Sequence, residues 1–117
     1  MATGNTAFNL DTVEIYDPQT DRWRSGMPMP TARSGVAATV LDDKAFIFGG
    51  ETREVTFAAA EAYDPATDSW TELAPLPTPR HGFGAVVHDG QILTLMGAPT
   101  AGGDRSNLVE VFVPSAQ

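Results

Sequence analysis

The sequence contains no cysteine. It therefore has no disulfide framework, no thiolate nucleophile and no Cys-based zinc site. Basic charge is scarce as well. Seven Lys and Arg stand against fifteen Asp and Glu, a net charge of -8, and the basic residues are scattered along the chain. Nucleic-acid binding rests on grouped cations that neutralise phosphates, so no nucleic-acid partner is expected. An anionic membrane surface is disfavoured for the same reason. No apolar run approaches the ~20 residues that span a bilayer, and Met1 to Asn9 lacks the basic start and apolar stretch of a secretion signal. The expectation is a soluble chain with its compartment left open.

Motifs of catalysis are missing too. There is no Gly-x-Ser-x-Gly, no phosphate-binding glycine loop and no His-Glu-x-x-His. The two histidines, His81 and His88, lie seven apart along what reads as one strand. That is about 23 Å at the rise of a β-strand, too far to share a metal, and both read as ordinary surface or loop residues. Asp42-Asp43 and the Asp-Pro pairs lack the alternating oxygen ligands of a calcium loop and read as turns. The expectation is no enzyme activity in this chain, no cofactor and no metal.

What is present is a repeat. Tyr16 recurs as Tyr63 and Trp23 as Trp70, each 47 residues on. Val13-Glu14-Ile15-Tyr16-Asp17-Pro18 answers to Ala60-Glu61-Ala62-Tyr63-Asp64-Pro65, and Thr20-Asp21-Arg22-Trp23 to Thr67-Asp68-Ser69-Trp70. The register continues without a gap from Pro28 to Gly35 against Pro75 to Gly82, and from Phe46-Ile47-Phe48-Gly49-Gly50 against Leu93-Thr94-Leu95-Met96-Gly97. A third copy of the first segment, Val109-Glu110-Val111-Phe112-Val113-Pro114, follows 49 residues after the second, two residues having entered the loop Ala98 to Asn107.

Within one period, apolar runs bounded by turn residues read as strands. These are Val36 to Leu41, Ala45 to Phe48, Ala58 to Tyr63 and Ser69 to Leu73, with Glu61 on the exposed face of a half-buried strand. Four antiparallel strands in sequence order per ~40 to 50 residues make the blade of a β-propeller. Named A to D, they predict an all-β chain. It has strands C and D of one blade over 12–24, a complete blade over 35–73 and strands A to C of a third over 82–113.

These residues resemble the kelch repeat family: the glycines Gly49, Gly50 and Gly97 ending strand B, Tyr16 and Tyr63 on strand C, Trp23 and Trp70 on strand D, and the Asp-Pro turn between them. The resemblance implies an incomplete kelch-type propeller of about two and a quarter blades, with strand A lining the channel and the aromatic rings filling the space between blades. Rings of this kind close with 4 to 8 blades. The remaining blades are therefore expected in a longer chain or through self-association, Met1 lying near the strand B glycines of a preceding blade. The departures are Met96 in place of a glycine and Phe112 in place of a Tyr.

In kelch propellers that bind acidic peptides, arginines at the place of Arg33 and Arg80 ring one mouth of the channel, where a planar guanidinium grips a carboxylate. Ser34 and His81 adjoin them. The plainer alternative is that each Arg pairs with a nearby Asp or backbone carbonyl to fix the loop between blades. The B to C loops, Glu51 to Phe57 and Ala98 to Asn107, differ most between copies and carry Arg53 and Arg105. Loops on a rigid scaffold are where binding specificity sits. The function expected is a non-enzymatic scaffold for a protein or acidic peptide. The rival is part of a carbohydrate-active kelch enzyme, of sugar isomerase or oxidase type, with its catalytic residues outside this chain.

Overall fold

A computed structural model of the chain describes residues 9–114. The inferences drawn for Met1 fall outside the described residues. Nine strands are described: β1 (Glu14–Asp17), β2 (Arg22–Ser25), β3 (Ala37–Leu41), β4 (Lys44–Phe48), β5 (Ala60–Asp64), β6 (Ser69–Glu72), β7 (Gly84–His88), β8 (Gln91–Leu95) and β9 (Val109–Phe112). They form three antiparallel sheets, β1-β2, β3-β4-β5-β6 and β7-β8-β9, each built from strands consecutive in the chain. Among the described residues no helix is long and apolar enough to cross a membrane.

Turn chemistry sets these meanders. Asp42 and Asp43 both adopt positive φ (52° and 61°) between β3 and β4, and Asp89 and Gly90 (52° and 72°) do so between β7 and β8. Two consecutive left-handed residues give the turn whose twist matches the strands it joins. At the β1–β2 and β5–β6 corners the Asp-Pro pairs act through their carboxylates. Asp17 Oδ1 accepts from Gln19 N and Asp64 Oδ1 from Ala66 N, both at 2.9 Å, side chains standing in for a backbone turn.

The second and third sheets approach each other through β3 and β7, and Gly82 N donates to Gly35 O at 2.9 Å just before those strands. They are blades converging at strand A and diverging outward. Between them lies the core. Phe46, Phe48, Ala60, Ala62, Leu76 and Ile92 are buried, with Phe83 and Phe112 packed against them, and the Phe112 ring centroid sits 6.1 Å from that of Phe46 and 5.5 Å from that of Phe48. Burial of each such ring contributes ~1.5–3 kcal/mol.

Gly49 shows why strand B ends in glycine here. It has φ 64°, and a Cβ would collide with the Arg80 carbonyl oxygen and come within 2.7 Å of the Phe83 ring. Met96 occupies the same place one copy later, at φ 63°, with 58% of its surface exposed. There the left-handed backbone persists without the close approach, so a side chain fits, at a conformational cost of order 1 kcal/mol.

One expectation is corrected. Glu61 does not face solvent: it is 2% exposed, and four of the five β5 residues, Ala60 to Tyr63, are buried. A cation buried with it explains why.

Candidate functional site

Arg33 and Arg80 lie in the D-to-A connections, and the structure turns both inward. Their exposures are 3% and 0%. Arg33 Nη1 donates to the carbonyls of Gly49 (2.8 Å) and Ala59 (2.9 Å), and Nη2 to Glu61 Oε1 (2.8 Å). Arg80 repeats the pattern: Nη1 to Met96 O (2.9 Å), Nη2 to Thr94 Oγ1 (2.5 Å) and to Glu110 Oε1 (2.8 Å). The second oxygen of each carboxylate accepts from a hydroxyl, Thr31 to Glu61 and Thr78 to Glu110, both at 2.8 Å. Burial lowers the Arg33 pKa, and Glu61 opposes that shift by stabilising the charged form.

This placement corrects the reading of Arg33 and Arg80 as a rim that grips a partner's carboxylate. The inner charges are already met by this chain's own carboxylates and carbonyls, and each pair ties the entry of a blade to its strand C. The plainer alternative, an Asp or a backbone carbonyl, holds for the carbonyls of Gly49, Ala59 and Met96, while the carboxylate is a Glu in place of the Asp. The signal was in the repeat, since Glu14, Glu61 and Glu110 recur with the same period as the aromatics.

Around these clamps one end of the two sheets is braced. Ser34 pairs with Glu51 through both backbone bonds (Ser34 N to Glu51 O 3.1 Å, Glu51 N to Ser34 O 2.8 Å), and His81 with Ala98 in the same way (3.0 and 2.9 Å). Glu51 and Ala98 open the two B-to-C loops, so each loop leaves its blade beside the D-to-A connection that enters that same blade. Between blades, Glu51 acts as a tie. Its Oε1 lies 3.1 Å from His81 Nδ1, and its Oε2 accepts from Gly102 N at 2.9 Å. His81 Nε2 lies 2.7 Å from the Thr100 carbonyl. Three segments, Glu51, His81 and 100–102, are thereby held as one surface.

Of the two histidines read as surface or loop residues, His81 lies in the connection before β7 but is buried, at 8% exposure, whereas the side chain of His88 is 75% exposed at the far end of β7. Arg53 and Arg105 are exposed on the two loops. Asp104 lies beside Arg105 and is held below the usual carboxylate range, first by the Arg105 amide and then by the Thr100 hydroxyl. Among the described residues no group of three or more His, Asp or Glu stands together to hold a metal ion.

The repeated aromatics fall into two settings. Tyr63 opposes Trp70 across β5 and β6, with ring centroids 5.1 Å apart. The Tyr63 hydroxyl donates to Asp68 Oδ1 (2.6 Å), the same oxygen accepts from Met27 N (2.8 Å), and Trp70 Nε1 donates to Met27 O (2.8 Å). This Asp-x-Trp element grips the backbone of the preceding blade. The hydrogen bond to Asp68 raises the Tyr63 pKa, and its counterpart holds Asp68 low, helped by the Met27 amide and Arg24. Tyr16 and Trp23 keep the local half of the arrangement, with centroids 5.2 Å apart and a 2.7 Å bond from Tyr16 to Asp21, but are 43% and 68% exposed.

Comparison with known proteins agrees with this architecture. A family model described as the Kelch motif matches residues 4–30 and 32–77, more than half of the chain. Kelch-like protein 15 of Homo sapiens and of Danio rerio are each 44% identical over 39 residues, a stretch that is 33% of this chain and 6% of either relative. The solved structure of YjhT superposes with a TM-score of 0.70 at 22% identity, covering 77% of this chain and 28% of that one. The likeness extends to the fold, and the chain belongs to the kelch repeat family.

Proposed function

We propose that the chain is a non-enzymatic binding scaffold whose working surface is the braced loop end, and that its partner is a protein segment, acidic where it meets Arg53 and Arg105. The observation that supports this is the Glu51 tie. One carboxylate fixes the connection before β7 and the loop before β9, so two loops that differ between copies stand side by side in a set geometry. Preorganised loops bind without losing ordering entropy at the moment of contact. On a chain of net charge -8, two arginines on neighbouring loops also form a local exception that an acidic segment can recognise.

The test uses fluorescein-labelled Glu- and Asp-rich decapeptides titrated against the chain by fluorescence anisotropy. Arg53→Ala with Arg105→Ala is expected to weaken binding at least about tenfold, as loss of charge-assisted bonds does. Glu51→Gln is expected to weaken it less, through looser loops. Equal affinity of the double variant and the parent chain would rule out these arginines as the contact.

A further inference from the structure

The two arginine clamps are built alike except for one acceptor. In the second, Arg80 Nη2 donates to the Thr94 hydroxyl as well as to Glu110, and Thr94 lies opposite Glu110 in the β8–β9 register. In the first, the residue opposite the carboxylate is Ile47, paired with Glu61 in the β4–β5 register, and an isoleucine accepts nothing. A sulfur takes over that part: Arg33 Nη2 donates to Met29 Sδ at 3.7 Å. One period on, the place of Met29 is held by Leu76, a buried core residue. Polar and apolar have changed places together, Met29 with Ile47 against Leu76 with Thr94. A thioether is a weak acceptor, so a cation that is 3% exposed is met at this corner by less than a hydroxyl. The Nε atoms of both arginines are buried and have no partner among the described residues, but only Arg33 has a sulfur beside it.

We infer that Met29 is a redox-sensitive element of the first clamp, whose sulfoxide oxygen accepts from the Arg33 guanidinium and tightens it. The oxidant is hydrogen peroxide. The thioether lone pair attacks one peroxide oxygen and the O–O bond breaks. The departing hydroxide takes the proton from the transferred oxygen and leaves as water, while the sulfur gives up two electrons. A thiol-dependent methionine sulfoxide reductase reverses the step. Met29 is only half-buried, within reach of so small an oxidant. A methionine sulfoxide ordinarily disrupts packing because it sets a polar oxygen among apolar groups. Here the oxygen forms beside a buried cation that still has a donor to give, and charge-assisted bonds are the stronger kind. The effect reaches the nearby loop, because Arg33 Nη1 holds the carbonyls of Gly49 and Ala59, which flank the B-to-C loop 51–57. The inference concerns the clamp and does not rest on the function proposed for the loops.

The test uses the chain carrying Met27→Leu and Met96→Leu, which removes the two exposed sulfurs. After peroxide treatment, peptide mass spectrometry is expected to find one added oxygen on Met29. The unfolding constant in urea should then fall about tenfold, the weight of one charge-assisted hydrogen bond. Amide exchange at Gly49 and Phe57, which close the loop through Ala59 O and Gly50 O, should slow with it. Reductase and thiol should restore both. The same background with Met29→Leu, the residue the second clamp uses, should show neither change. Three results would overturn the inference: a Met29 that resists peroxide in the folded chain, a sulfoxide form no more stable than the thioether, or an equal change in the Met29→Leu chain.

Discussion

Tyr16, Asp21 and Trp23 repeat as Tyr63, Asp68 and Trp70, and the two trios differ in almost nothing internal. Ring separation is 5.2 Å in one and 5.1 Å in the other, and the tyrosine-to-aspartate bond is 2.7 Å against 2.6 Å. What differs is the neighbour. Tyr63 and Trp70 lean on Gly26 and Met27 of the blade before them, while no described residues play that part for Tyr16 and Trp23. A blade thus makes its own hairpin geometry locally, whereas burial comes from the adjacent sheet, as in other repeat architectures where stability resides in nearest-neighbour interfaces.

The sharpest break in the comparison is expected at the buried ion pairs. Arg33→Ala leaves Glu61 buried without its cation and should lower stability by about 3–5 kcal/mol in urea unfolding. Glu14→Ala, at the exposed counterpart of Glu61, should change it by less than ~0.5 kcal/mol. The aromatics come next. Trp70→Ala should cost roughly 2–3 kcal/mol, since the indole is only partly buried, while Trp23→Ala should be near neutral by the same measurement.

A smaller effect follows from acid. The pKa of Asp68 is lowered in the folded chain, so its contribution is present above the unfolded value of ~3.9 and is lost as pH falls through the lower folded value. Below that range the Met27 amide and Tyr63 hydroxyl lose a charged acceptor, and the first sheet should loosen from the second. Amide exchange at Met27 reports this, and Asp68→Asn should remove the pH dependence. Smallest of all, Met96→Gly should stabilise by about 0.5–1 kcal/mol by relieving a left-handed backbone, while Gly49→Ala at the matching position should destabilise because of the clash with Arg80 and Phe83.

The strand pattern was legible in the sequence because its determinants are local. Asp42-Asp43, Asp89-Gly90 and the Asp-Pro corners each dictate a turn from two to four residues. The identity of the kelch repeat was legible for a different reason, the spacing of Tyr, Trp and glycine. What the sequence concealed was direction across blades. Arg33 and Glu61 are 28 residues apart, and nothing local says that a charged strand residue turns inward to meet a guanidinium from the preceding connection. His81 was hidden likewise, since its partners Glu51 and Thr100 belong to loops on two different blades. The periodic recurrence of Glu with Arg was the one available clue.

The two tryptophans make the central comparison measurable in a single experiment. Acrylamide quenching of Trp23→Phe, which reports Trp70 alone, should give a quenching constant several-fold below that of Trp70→Phe, which reports Trp23 alone, in keeping with the partly buried and the 68% exposed rings. Equal quenching of the two indoles would contradict the stacking of the second blade on the first.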